Sequence, residues 1–303
     1  MTENLHPTSC AICRIEGNAE ELYPANLNHE AFDPVVFSAR RLPDRIHYRI
    51  VKCDTCGLVR SDPITTNEEL TRLYKQSTFD YQAETDNLKR TYGRYLHRLD
   101  HLGATKGALL EIGCGNGFFL EEALNQGYQF VNGVEPSRLA IDRATPNIKE
   151  KIHCGMMEVG LFKTESFDIV CLFQVIDHLP DPGAVLNECF HLLRKGGLLL
   201  AINHNVSAFS TTILKERSPI IDIEHTYLFS PTTMRRICEQ SGYLVREQGQ
   251  VVNNYSLHYL VRLLPLRSGF KARVLRGLRR LHLDKITMRV PLGNQYLVGQ
   301  RTG

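Results

Sequence analysis

The chain reads Glu-Ile-Gly-Cys-Gly-Asn-Gly from Glu111 to Gly117, where an apolar run beginning at Ala108 meets a helical pattern that starts at Phe118. Glycines in a strand-to-helix turn remove the Cβ atoms that would hold a ligand off the backbone, and they tolerate the dihedral angles of a sharp turn. Gly113, Gly115 and Gly117 therefore make a candidate nucleoside-binding turn. A dinucleotide fingerprint would place its third glycine at position 118, but Phe118 stands there, so a pyrophosphate is not the indicated ligand. The next apolar run ends at Val134-Glu135. A carboxylate at such a strand end can accept two hydrogen bonds from a ribose diol, which makes Glu135 the ribose candidate. The alternative is a plain tight turn with Glu135 as a solvated acid at a helix start.

A second chemical signal lies near the amino terminus, in the pairs Cys10/Cys13 and Cys53/Cys56, the latter followed by Gly57. Each Cys-x-x-Cys can fold as a knuckle that presents two thiolates, and two knuckles supply the tetrahedral four-sulfur shell that zinc favours. A closed shell leaves no position for a reacting water, so the expected metal is structural. An iron-sulfur cluster or a redox pair would use the same residues. Cys114, Cys154, Cys171, Cys189 and Cys238 sit in apolar contexts and read as inert core thiols. Nine cysteines is an odd count, and the first residues carry no charged and apolar leader, so reduced thiols and a cytoplasmic location are expected.

The elements that position these residues follow from periodicity. The stretch 1–62 is rich in turn formers and holds the cysteine pairs, a module of its own. In 63–102, Leu70, Leu73, Tyr74, Leu88, Tyr92, Tyr95, Leu96 and Leu99 recur at helical spacing, a bridge or lid over a pocket. Tyr81 falls in this bridge as a substrate-contact candidate. From 103 to 303, short apolar runs alternate with helices at Ala108–Ile112, Phe118–Gln126, Phe130–Val134, Arg138 onward, Phe167–Phe173, Gly183–Leu193 and Leu198–Ile202. That alternation implies an α/β fold with a mainly parallel sheet covered on both faces. Hydrophobic residues are 43% of 303, enough for a large core. The formal net charge of +3 gives no general attraction to nucleic acid, and no run of eighteen apolar residues occurs. Between about 255 and 285, leucines interleave with Arg262, Arg267, Lys271, Arg273, Arg276, Arg279 and Arg280. This segment reads as a helical insertion before a last strand at Gln295–Gln300. It suits a solvated helix pair, a grip on a phosphate-bearing acceptor, or peripheral contact with an anionic membrane.

The turn, with Gly133-Val134-Glu135-Pro136-Ser137, Phe167-Asp168-Ile169-Val170, Gln174-Val175-Ile176-Asp177-His178-Leu179-Pro180-Asp181-Pro182 and Leu193-Arg194-Lys195-Gly196-Gly197, resembles the ordered motifs of class I S-adenosylmethionine-dependent methyltransferases over about 108–242. The resemblance implies a Rossmann-like, seven-stranded, doubly wound sheet, with a small zinc-binding amino-terminal module and a helical carboxy-terminal insertion. It implies that S-adenosylmethionine lies with its methionine end near Glu111, Gly113, Phe173 and Gln174, its ribose on Glu135 and Pro136 beside Phe118, and its adenine past the third strand. There the segment Cys154-Gly155-Met156-Met157-Glu158 lacks the aspartate that many relatives carry, so adenine contacts are expected from the backbone, Met156 and Met157.

A zinc-binding amino-terminal region joined to this domain is similar to enzymes that methylate sugars, nucleotide-linked sugars or other secondary metabolites. The segment Ile223-Glu224-His225-Thr226-Tyr227-Leu228 resembles their Glu-His motif, which implies His225, beside Glu224, as a base or acceptor contact. His178, just after the fourth strand, where open sheets expose their sites, is a second candidate. The expected activity is methyl transfer to a small-molecule acceptor, on oxygen or carbon. An inactive zinc-ribbon adaptor and a macromolecule methyltransferase are the competing readings.

Overall fold

The computed structural model describes residues 5–27, 36–37, 46–77, 84–264, 266–284 and 286–302, so Tyr81 lies outside the described residues. The amino-terminal part holds β1 (Leu5–His6), β2 (Ala19–Tyr23), β3 (Ile50–Cys53), β4 (Val59–Ser61) and β5 (Ile64–Thr65). Two helices follow, α1 (Asn67–Gln76) and α2 (Thr85–Arg98). The α/β part runs β6 (Ala108–Ile112), α3 (Phe118–Asn125), β7 (Phe130–Glu135), α4 (Arg138–Ile141), α5 (Pro146–Lys149), β8 (Ile152–Cys154), β9 (Phe167–Phe173), α6 (Pro182–Leu192) and β10 (Leu193–His204). Then come α7 (Phe209–Leu214), β11 (Tyr227–Leu228), α8 (Pro231–Gln240), β12 (Tyr243–Gln250), β13 (Asn253–Ser256), α9 (Leu257–Leu263), α10 (Ser268–Arg280), β14 (Thr287–Val290) and β15 (Asn294–Arg301).

The main sheet has seven strands in the order β12-β15-β10-β9-β6-β7-β8, the α/β architecture expected from the alternating runs. The pairs β6–β7, β6–β9, β7–β8 and β9–β10 are parallel, while β15 runs antiparallel to both β10 and β12. Every residue of β6 and β9 is buried, which is why both read as unbroken apolar runs. Alternate side chains feed two cores. Leu110, Ile112, Val170, Leu172, Leu199 and Ala201 face Leu186 and Cys189 of α6 and Ile237 of α8. Leu109, Ile169, Cys171, Leu198 and Leu200 face Leu96 of α2 and Phe119 of α3. Each such leucine contributes about 1.5–3 kcal/mol by leaving water.

Local chemistry sets the helix starts near the sheet's carboxyl edge. The Asp181 side chain accepts the Ala184 N–H at 3.0 Å with Pro182 in the first turn of α6, and Ser230 with Thr233 forms a capping box on α8.

Two features differ from expectation. The amino-terminal region is not closed on itself: its sheet, β11-β4-β3-β2, takes a strand from residues 227–228. A two-residue strand has no periodicity to read, so this pairing carries no local signal. The basic segment is the helical insertion expected, a helix pair set between β13 and β14, which pair antiparallel as a base for it. Cys154 is exposed, because it ends β8, the edge strand of the sheet, while Cys114, Cys171, Cys189 and Cys238 are buried as expected.

Candidate active site

A cavity of about 460 Å³ opens where β6 and β9 lie side by side and their connections leave in opposite directions. Its wall includes Ile112 at the end of β6 and Gly113 after it, Glu135 and Pro136 at the end of β7, Met156 and Met157 past β8, and Phe173, Gln174 and His178 at and beyond β9. Across from these stand His204, Glu224 and His225. Helices α1 and α2 close one side with Leu70, Tyr74, Leu88 and Tyr92, and the insertion adds Tyr255, Tyr259 and Leu263. No Lys or Arg occurs among the described wall residues, so the basic segment does not supply a phosphate cradle inside the cavity.

Glu111, Gly115, Gly117 and Phe118 are not on this wall. Each acts one layer back. Gly115 donates its N–H to Glu135 Oε2 at 2.8 Å, and Ser137 donates its N–H to Oε1 at 2.8 Å, which fixes the carboxylate at the cavity edge. Burial pushes the Glu135 pKa up against the pull of these two bonds, and the net direction is upward. Glu111 is 2% exposed, and its Oε2 has no hydrogen-bond partner among the described residues. Burial first, and the Glu135 charge second, raise its pKa well above the usual 4.5. Gly113, at φ +72°, leaves room for protein rather than ligand, since a Cβ there would stand 2.4 Å from Val175 Cγ2. The Phe118 ring stacks on Tyr92 at 6.1 Å within the core under α2, and Phe173 stacks on the same tyrosine at 4.3 Å. Gln174 holds a positive φ of 57°, rare for a residue with a side chain, and anchors it by donating its N–H to Ile202 O at 2.7 Å.

A histidine cluster occupies the other end. The rings of His178 and His225 lie 4.7 Å apart and those of His204 and His225 4.9 Å apart, with His225 5% exposed. Tyr74 Oη sits 3.2 Å from His178 Nδ1 and donates to the Glu224 carbonyl at 3.4 Å, tying α1 to both candidate segments. Asp177 is fully buried beneath them: Oδ2 accepts the His204 N–H at 3.3 Å, and Oδ1 lies 3.9 Å from His178 Nε2. Its backbone carbonyl accepts the N–H groups of Thr226 and Tyr227 at 2.9 and 3.1 Å, which holds the segment carrying His225 against the end of β9. Burial and the charges of Glu224 and Asp177 raise the Tyr74 pKa well above 10.0, so its hydroxyl stays protonated as a donor. Tyr74, Asp177 and His204 were not singled out from the sequence. The adjacency of Asp177 to His178 was the one signal that could have found any of them.

The four amino-terminal thiols also converge. One ligand atom from each of Cys10, Cys13, Cys53 and Cys56 lies within 4.8 Å of the others, with Cys10 Sγ and Cys56 Sγ 3.4 Å apart. Tetrahedral Zn–S bonds of about 2.3 Å put sulfurs roughly 3.8 Å apart, so the spacing suits a four-thiolate metal. Backbone turns shape each knuckle: Gly57 donates its N–H to Cys53 O at 2.9 Å, and Arg14 donates its own to Cys10 O at 2.8 Å. Burial acts to raise the Cys53 pKa, but the N–H groups of Cys56 and Thr55 aimed at its sulfur outweigh it and bring the pKa down to about 7.

A family model described as a methyltransferase domain matches residues 82–248. A ubiquinone biosynthesis O-methyltransferase of Coxiella burnetii is 32% identical over 113 residues, which are 35% of this chain and 48% of the relative. The enzyme of the same name from Nitrobacter winogradskyi is 28% identical over 193 residues, 59% of this chain and 72% of that one. The chain thus spans about half the length of the Coxiella relative. Among solved structures, a SAM dependent methyltransferase from Archaeoglobus fulgidus aligns with TM-score 0.48 at 16% identity, covering 73% of this chain and 98% of that one. The four-cysteine cluster and the basic insertion lie outside the residues that the family model matches.

Proposed function

Because this chain belongs to the methyltransferase-domain family, whose model spans residues 82–248, we propose that it transfers a methyl group from S-adenosylmethionine to a small hydroxylated acceptor such as a sugar or a related secondary metabolite. The observation that carries this reading is the continuous cavity of about 460 Å³ with Gly113 and Glu135 at one end and His178 and His225 at the other, which supports a nucleoside site beside an acceptor site. The names of the curated relatives add weight to oxygen as the methylated atom.

Glu135, Pro136, Met156, Met157, Phe173 and Gln174 would hold the cofactor, with the buried Glu111 carboxyl one layer behind them at the end of β6. The unpartnered Glu111 Oε2 fits a cationic ligand, since burial without a partner is otherwise costly. When bound, S-adenosylmethionine supplies a sulfonium whose methyl carbon is electrophilic. The chain's own task is then to align the acceptor and take its proton. His225 takes the acceptor hydroxyl proton, and the buried Asp177 beside it stabilises the imidazolium that results. Tyr74 fixes the orientation of His178, and Glu224 faces the acceptor end as a hydrogen-bond acceptor. Cys10, Cys13, Cys53 and Cys56 hold a structural zinc that stiffens the sheet to which β11 is paired.

Calorimetry with S-adenosylhomocysteine, run on folded, zinc-loaded protein, tests the reading: binding at micromolar to millimolar concentration is expected. No heat at millimolar ligand overturns it in favour of an inactive adaptor. Transfer of radiolabelled methyl to a panel of hydroxylated acceptors then identifies the acceptor class.

A further inference from the structure

Residues 257–292 carry nine Lys or Arg against one acid, Asp284, a net charge of +8 in a chain whose formal total is +3. The rest of the chain is therefore net −5, and the positive charge is local. Within this insertion, Phe270, Val274, Leu278 and Leu281 recur at steps of four, four and three, one face of a helix, while Arg273, Arg276 and Arg280 fall on the opposite side. No described side chain of α10 is buried; Phe270 is 58% exposed and Leu281, just past the helix, 66%. A short helix in water normally draws its stability from a covered apolar face, and here that face is covered only in part: Val274 and Leu278 are half-buried while Phe270 and Leu281 stand open at its two ends.

The apolar exposure continues beyond α10. Leu264, Ile286, Met288 and Leu292 are exposed, and α7 presents Phe209 and Ile213, one helical turn apart. The two parts adjoin: Asn205, just before α7, donates its N–H to Gly293 O at 2.8 Å, next to Leu292. The root of the insertion is fastened to α2, since Arg94 bonds Val252 O and the Ser256 hydroxyl bonds Glu84. Its inner residues Tyr255, Tyr259 and Leu263 wall the cavity, so the cationic groups point elsewhere.

We propose that the 257–292 insertion, together with α7, is a docking surface for an anionic lipid bilayer. Arginines at its rim meet lipid phosphates, and Phe270, Leu281, Met288 and Phe209 enter the headgroup–acyl boundary. A nucleic acid would engage the arginines but leave this array of large apolar side chains facing phosphate and water. A second copy would bring two +8 surfaces together.

Flotation of the full chain with phosphatidylglycerol vesicles, phosphatidylcholine vesicles and no lipid tests this without reference to methyl transfer. The expected result is binding to phosphatidylglycerol only, falling steeply with salt. It should weaken at least tenfold in Arg273→Glu/Arg276→Glu/Arg280→Glu and also in Phe270→Ser/Leu281→Ser. Circular dichroism and S-adenosylhomocysteine affinity of both variants should match the parent. Failure to float with phosphatidylglycerol overturns the proposal, as does undiminished flotation of the two variants. Complete displacement from vesicles by equimolar RNA would reassign the surface to nucleic acid and overturn it as well.

Discussion

Ser61 donates its side-chain hydroxyl to the backbone carbonyl of His225 at 2.8 Å, joining residues 164 positions apart in the chain. Ser61 ends β4, β11 pairs with β4 immediately after His225, and Cys53 and Cys56 lie in the neighbouring strand and turn. The thiol cluster and the candidate base therefore share one sheet. Removing the metal should displace His225 while sparing the nucleoside end. Cys53→Ser should lower zinc content from one per chain and cut turnover at least tenfold, with S-adenosylhomocysteine affinity kept within about threefold. Elemental analysis paired with calorimetry reads this, and a zinc-free sample that keeps full turnover would refute the coupling.

His225→Ala removes the proposed proton acceptor. General-base contributions are typically about 10²–10⁴-fold, so kcat should fall by that order with cofactor affinity unchanged. His178→Ala should cost less, since Tyr74 and the main chain still define the pocket. Steady-state kinetics in which His225→Ala keeps its parent kcat would remove it as base.

Glu135→Ala removes the carboxylate that Gly115 and Ser137 hold in place. A hydrogen bond to a charged group is worth about 1.5–3 kcal/mol, so S-adenosylhomocysteine should bind about 10- to 100-fold more weakly by calorimetry. An affinity within twofold of the parent would take Glu135 out of the ribose site.

Glu111 links pH to stability. Its pKa is raised in the folded chain above the usual 4.5 by burial and by Glu135. The folded state therefore holds this proton more tightly than the unfolded state, and its contribution is fully present below about pH 4.5. The contribution is lost as pH rises through the folded-state pKa. Ligand-free Glu111→Gln should keep a flatter melting curve against pH and exceed the parent's Tm near pH 8. Parallel curves for the two proteins would assign the penalty elsewhere.

Gly113→Ala should destabilise on two counts. Alanine at φ +72° costs about 1–2 kcal/mol, and its Cβ meets Val175 Cγ2 at 2.4 Å. Adding Val175→Ala should recover the packing part and not the backbone part. If the double variant melts no higher than the single one, Val175 is not what confines this position.

The strands β6 and β9, buried on both faces, carry their assignment in composition alone, and the Gly113–Gly117 turn and the paired cysteines do so by spacing. What spacing withholds is how side chains meet across the fold. Tyr74 from α1, Asp177 past β9, His204 from β10 and His225 before β11 converge from four separate elements, and none of those distances is written locally. Of the three glycines of the turn only Gly113 lines the cavity, while Gly115 and Gly117 lie one layer back. A sequence shows that a turn needs room for something, and in this chain the occupants of that room are Val175 and Ile148.

The strand order has its own consequence. β15 lies between β10 and β12, and β12 has no other partner in the seven-stranded sheet among the described residues. During synthesis β12 emerges some fifty residues ahead of β15, so one edge of the sheet stays open until β15 clears the ribosome. Completion of this edge thus waits for β15, and a stalled chain that ends before Asn294 should be cleaved readily at β12 by a protease that spares a chain carrying β15.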